Sequence, residues 1–234
     1  MASSDRDIDD LVDELSAYIK ESLCRTTWEG WDGGDVPPAG LIFPRKRDGT
    51  RRISEQESRI AATQWLHDGK YPFSVETPTG EKFVMSGVTE TGLSARTDIT
   101  VFRVQGDDLR RLLNIEVKAL QPKKEGIVGD LQKLLREQVE GMWFHTLVSA
   151  DTASWRQIGR KLWWAYRDLS EDPCCLDAFR KPLHSVRFRF LDMRTSDMRK
   201  FTVRFSHWED DLRVEFPLEE AYRYKDTKDD RPEK

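Results

Sequence analysis

Asp98, Glu116 and Lys118 are charged residues whose spacing can bring them together on one β-sheet. Residues 97–104 and 112–120 both read as strands, and 105–110 between them as a polar turn. A hairpin centred on residue 107 places Asp98 across from Glu116, with Cβ atoms roughly 4.5–5.5 Å apart. Alternation puts Glu116 and Lys118 on one face, and Leu113, Ile115, Val117 and Ala119 in an apolar row on the other. Two carboxylates that close repel unless something sits between them. A divalent cation with hard oxygen ligands, Mg²⁺ above all, resolves the conflict. The lysine beyond Glu116 could approach a water held by that cation, and such a water facing a phosphodiester makes a hydrolytic site.

The flanking sequence supplies the elements that must position these groups. Ile8, Leu11, Val12, Leu15, Ile19 and Leu23 share one face of a helix over 7–23, with an acidic outer face. Residues 28–41 are dense in Gly and Pro, which predicts a loop and sets residues 1–40 apart as an N-terminal helical appendage. A second helix is expected over 54–67, opened by Ser54 and Glu57 as a capping box with Ile53 as staple. Short strands over 71–76 and 82–86 flank the turn Pro78-Thr79-Gly80. Further on, the pattern predicts helices over 130–148 and 154–169, strands over 185–191 and 200–205, and a further strand over 212–216. The sum is an α/β domain over 41–224, a central mixed β-sheet flanked by helices. Residues 225–234 read as a disordered charged tail.

Glu57 on a helix, Asp98 on one strand and Glu116-Val117-Lys118 on the next together resemble the PD-(D/E)XK nuclease superfamily, over roughly residues 53–148. The resemblance implies a restriction-endonuclease-like core and Mg²⁺-dependent hydrolysis of nucleic acid, DNA rather than RNA, with Mn²⁺ able to substitute. It implies that Asp98, Glu116 and the Val117 carbonyl hold the metal, that Glu57 contributes to it, and that Lys118 orients and helps deprotonate the attacking water. Gln138 would match a helix glutamine that some relatives use. One departure is Thr97 before Asp98, where the family pattern has Pro. Such nucleases serve defence, recombination, transposition and repair, and a homodimer or a larger complex would supply specificity.

Each residue also has a plain structural reading. Glu116 and Lys118 could line a solvated edge, Asp98 could cap a turn, Glu57 is explained by its capping box, and Gln138 interrupts an apolar stripe. Arg45, Lys46, Arg47, Arg51 and Arg52 lead into the Glu57 helix and could hold a phosphate backbone, as could Lys123 and Lys124; a solvated loop is the competing reading. Trp163, Trp164 and Tyr166 read as core rather than as a base-stacking platform. Two other functional classes stay open: a non-catalytic nucleic-acid-binding or assembly module, and a scaffold docked through its acidic first helix.

Composition narrows the class. Of 234 residues, 34% are charged, and the net charge is −4, so a uniform basic coat is absent. No run approaches the roughly 18 apolar residues of a membrane span. The acidic start predicts no signal peptide. Three cysteines are too few for a disulfide framework, which with the rest predicts a reducing, cytoplasmic setting.

Overall fold

The structure is a computed structural model that describes residues 7–25, 47, 52–80, 95–137, 139–173, 175, 176, 179 and 184–216. In chain order the elements are α1 (Ile8–Arg25), α2 (Glu55–Asp68), β1 (Phe73–Pro78), β2 (Arg96–Gln105), β3 (Asp108–Ala119), α3 (Lys124–Arg136), β4 (Glu140–Leu147), α4 (Thr152–Ser170), β5 (Ser185–Asp192), β6 (Met198–Arg204) and α5 (Trp208–Glu215). The described strands form a single mixed sheet in the order β1-β2-β3-β4-β5-β6. β3, β4 and β5 run parallel, and the outer pairs are antiparallel. Parallel neighbours need crossovers, and α3 and α4 provide them. Both pack with α5 over an aromatic core that includes Trp143, Phe188, Phe190 and Trp208. The opposite face, with Ile99, Ile115, Val117 and Phe144, is covered by α1 and α2.

The β2–β3 hairpin shows how local sequence sets the register. Gln105 faces Asp108 across a tight turn in which Gly106 takes φ +62°, a left-handed conformation that glycine adopts without a steric penalty. A bulge between Val101 and Phe102 then shifts the pairing, so Val101 faces Leu113 and Ile99 faces Ile115. Continued one step, this register brings Asp98 opposite Glu116, as the sequence predicts. Without the bulge Asp98 would meet Ile115, because a one-residue slip exchanges the two faces.

Three expected elements differ. The expected helix over 130–148 is the shorter α3 followed by β4. Met142 and His145 extend the helical stripe at a spacing of three, but 141–147 is a continuous run buried on both faces, the pattern of a central parallel strand. Gly141 also seats that strand against β5, since a Cβ there would meet Val186 at 3.1 Å. Residues 212–216, expected as a strand, belong mostly to α5, which buries Trp208 and Leu212 and leaves Val214 exposed. The strand near 71–76 is β1, displaced toward Pro78; the one expected over 82–86 lies outside the described residues.

α1, placed by the sequence in an appendage, packs directly on the core through Leu11, Val12, Leu15, Ile19 and Leu23. Its acidic side is used within the fold. Asp9 pairs with Arg187, and Asp13 meets Arg189 at 2.9 Å and Lys200 at 3.1 Å. These pairs account for two buried arginines in the all-buried strand β5, since a buried charge without a partner is strongly destabilising. Trp163 is buried, as a core reading requires, whereas Trp164 is partly exposed with Lys124 6.0 Å from its ring centre. No described helix is long and apolar enough to cross a membrane.

Candidate functional site

β2 and β3 carry Asp98 and Glu116 to facing positions on the sheet surface that α3 covers. Asp98 is 6% exposed and Glu116 0%. Asp98 Oδ2 accepts the Val117 N–H at 2.8 Å, and its Oδ1 pairs with the Arg59 guanidinium. Arg59 comes from α2 and also donates to Glu76 at 2.8 Å. Glu76 interrupts the β1–β2 ladder in a left-handed conformation, φ +49°, which costs roughly 1–2 kcal/mol for a residue with a Cβ.

Glu116 faces α3. Lys133 Nζ lies 2.7 Å from its Oε1, 2.9 Å from Asp130 Oδ1, and 2.9 Å from the Arg96 carbonyl oxygen, to which it donates a hydrogen bond. Lys133 and Glu116 thus form a buried ion pair, and the second Glu116 oxygen, Oε2, has no hydrogen-bond partner among the described residues. Lys118 Nζ lies 2.7 Å from Asp130 Oδ2 and 3.7 Å from Glu55 Oε1. The ion pairs form two neighbouring groups, Arg59 with Glu76 and Asp98, and Lys118 and Lys133 with Glu55, Glu116 and Asp130, so that five carboxylates stand against three cations.

The electrostatics follow from burial and this excess of acid. Burial raises the Asp98 pKa, and the Val117 N–H and the cations offset only part of it. Glu116 is pushed well above the usual carboxylate range by burial and by Asp130, with Lys133 opposing. Burial pulls Lys118 and Lys133 downward, but the carboxylates around them outweigh it and raise both. Lys118 is therefore an ammonium at neutral pH.

No family model, curated protein or solved structure matches the chain.

Among the described residues, no three His, Cys, Asp or Glu side chains are grouped so as to hold a metal ion. Oxygen donors of the kind a hard cation takes are present at Glu116 and Asp98, but Lys133 and Arg59 already pair with them. Glu57, expected in the site, is buried at the start of α2, where its carboxylate accepts from the Ser54 hydroxyl and lies 3.9 Å from Arg52. Its neighbour Glu55 is the α2 acid that reaches Lys118. Gln138 lies outside the described residues, as do Arg45, Lys46 and Arg51. Arg47 and Arg52 are exposed. Lys123 precedes α3 as its N-cap, and Lys124 pairs with Asp168 at 2.7 Å.

Glu55, Arg59, Glu76, Asp130 and Lys133 are the members that sequence reading missed. A signal existed for Asp130, which falls between Ile127 and Leu134 on the buried side of α3. A charge on an apolar stripe needs partners. His145 is a further neighbour, paired in register with Lys118. Burial lowers its pKa to about 4, so the ring is neutral, and its Nε2–H donates to the Leu120 carbonyl at 2.7 Å. Leu120 stands at φ +62° directly after β3, with its N–H bonded to the Thr146 carbonyl at 2.8 Å. β4 thereby holds both polar backbone groups of the strained residue that turns the chain away from Lys118.

Proposed function

We propose that this chain is a Mg²⁺-dependent nuclease that hydrolyses phosphodiester bonds of nucleic acid, DNA in preference to RNA. The observation that carries the reading is the pairing of the strands that bear Asp98 and the buried Glu116, close enough that Asp98 helps to raise the Glu116 pKa, with the Lys118 ammonium in the same group of charges. Asp98, Glu116 and the Val117 carbonyl would hold the metal, and Mn²⁺ could replace it. The ion when bound supplies Lewis acidity and an acidified water. The Asp98 carboxylate is kept in place by the Val117 N–H and by Arg59. Lys118, protonated between Asp130 and Glu55, acts as a positive charge and hydrogen-bond donor toward the phosphate and the attacking water rather than as a free base. Glu57 is tied to Ser54 and supports the site by fixing the start of α2. Arg47, Arg52 and Lys123, with Arg45, Lys46, Arg51 and Lys124, are proposed backbone contacts. Incubation with supercoiled, linear and single-stranded DNA and with RNA, with and without Mg²⁺, tests this reading. Metal-dependent cleavage of at least one substrate is expected, and its absence across the panel in Mg²⁺ and Mn²⁺ refutes it.

A second reading has its own observation. The acids already have internal cations in Lys133 and Arg59, as a site that binds nucleic acid without cutting it would allow. Retention of DNA in a mobility shift, with no turnover in either metal, would favour that module.

A further inference from the structure

α4 is basic in an acidic chain. Arg156, Arg160, Lys161 and Arg167 stand on it against one acid, Asp168, although the net charge of the whole is −4. Arg156, Arg160, Trp164 and Arg167 follow one another at spacings of four, four and three residues, which sets them within about 80° of arc on one side of the helix. Ile158, Leu162, Ala165 and Leu169 take the buried side. On the stripe itself Arg156 and Arg167 are exposed, and Trp164 keeps 39% of its surface in solvent while its neighbour Trp163 is buried. No acid of α4 is left over for the arginines, since Asp168 pairs with Lys124 at 2.7 Å. Asp151, just before the helix, caps it by accepting from the Ser154 N–H at 2.8 Å.

A row of cations unmatched by its own helix creates a local positive potential that favours a polyanion. Trp164 adds a flat aromatic face within the row, with Lys124 6.0 Å from its ring centre. Cations interleaved with an aromatic ring suit a single nucleic-acid strand, which lays its phosphates on the charges and an unstacked base on the ring. The stripe also adjoins the site described above. Lys161, on the flank of α4, donates to the carbonyl of Pro122 at 2.8 Å, and Pro122 lies in the turn between β3, which carries Lys118, and α3.

We propose that this side of α4 binds single-stranded nucleic acid, with Arg156, Arg160 and Arg167 on the phosphates and a base stacked on Trp164, and that the strand passes Lys124 toward Lys118. The inference rests on the nucleic-acid reading above and deepens it, naming the form of the substrate and a surface of α4 which that reading does not use.

Fluorescence anisotropy of a labelled oligothymidylate, recorded in EDTA so that nothing is cut, tests the proposal. Arg160→Ala combined with Arg167→Ala should weaken binding by about tenfold or more and reduce the slope of log affinity against log salt by about 1.4, the loss of two phosphate contacts to a single strand. Trp164→Ala should weaken binding by about fivefold or more, and Trp164→Phe should restore most of the loss, because stacking needs only a ring. The matching duplex should bind more weakly than the single strand. Unchanged affinity in the double arginine variant overturns the proposal. So does a duplex that binds as tightly as the single strand, or a Trp164→Ala variant that binds like wild type. Should Trp164→Ala fail to fold, the double arginine variant and the comparison of strand with duplex on wild type carry the test. The two readings separate. Metal-dependent cleavage by wild type with no loss of binding in the α4 variants removes this surface alone. Loss of binding in those variants with no cleavage in Mg²⁺ or Mn²⁺ removes the nuclease and leaves the surface. Neither binding nor cleavage by wild type removes both.

Discussion

Acidification should unfasten the turn that follows Lys118, through His145. The ring is fully buried and its pKa is lowered from 6.5 to about 4, by burial first and by the nearby Lys118 and Lys161 charges, against the favourable Leu120 carbonyl. A histidine held neutral in the fold but free to protonate when unfolded contributes stability that is complete above pH 6.5. That stability is lost as the pH falls toward 4, because the unfolded chain binds the extra proton first. Each unit is worth about 1.4 kcal/mol, so the displacement corresponds to about 3 kcal/mol, most of it gone by pH 4. His145→Gln supplies the control, since an amide can donate toward the Leu120 carbonyl and does not titrate. Urea unfolding followed by tryptophan fluorescence should show wild type losing about 2–3 kcal/mol relative to His145→Gln between pH 7 and pH 4. Subtracting the variant cancels the carboxylates that titrate in the same range. Parallel stability curves would refute the assignment of a neutral, desolvated imidazole.

Three further outcomes follow from the same geometry. Lys118→Met keeps most of the side-chain volume, and cleavage should fall by about a hundredfold or more while far-ultraviolet circular dichroism stays native; substantial Mg²⁺-dependent turnover would remove Lys118 from the mechanism. Glu116 has the opposite pH sense from His145. Its raised pKa means that metal-free wild type is most favoured over Glu116→Gln below pH 4.5 and loses ground as the pH rises above it, and urea midpoints that diverge the other way contradict this. At Gly159 a Cβ would sit inside van der Waals contact with the Phe216 ring. Gly159→Ala should therefore lower stability by about 1–3 kcal/mol, despite a helix-propensity gain of up to about 1 kcal/mol; a higher melting temperature would show that the ring moves aside freely.

How far the sequence foretold the site depends on which forces were local. The β2–β3 hairpin was legible because alternation and a polar turn point to one register, and the Val101–Phe102 bulge restores that register after a tight Gly106 turn. The apolar stripe of α1 was legible, but its role was not, because Asp9 and Asp13 find Arg187 and Arg189 only once the chain has folded across more than 170 residues. The break between α3 and β4 was missed because Leu131, Leu134, Met142 and His145 satisfy a helical period, and burial on both faces removes the alternation that marks a strand. The partners of Lys133 and Asp130 were hidden for a related reason. Nothing in α3 alone says that its polar positions will meet Glu116, which is decided by the crossover that lays α3 over β3.

The proposed nuclease depends on a cation shared by Asp98 and Glu116. It is tested most directly by plasmid nicking and linearisation in Mg²⁺ with wild type, Asp98→Ala and Glu116→Ala, each purified identically and shown to be folded. Wild type should cut in a chelator-sensitive manner, and neither variant should cut. Cutting by Glu116→Ala at the wild-type rate would contradict it.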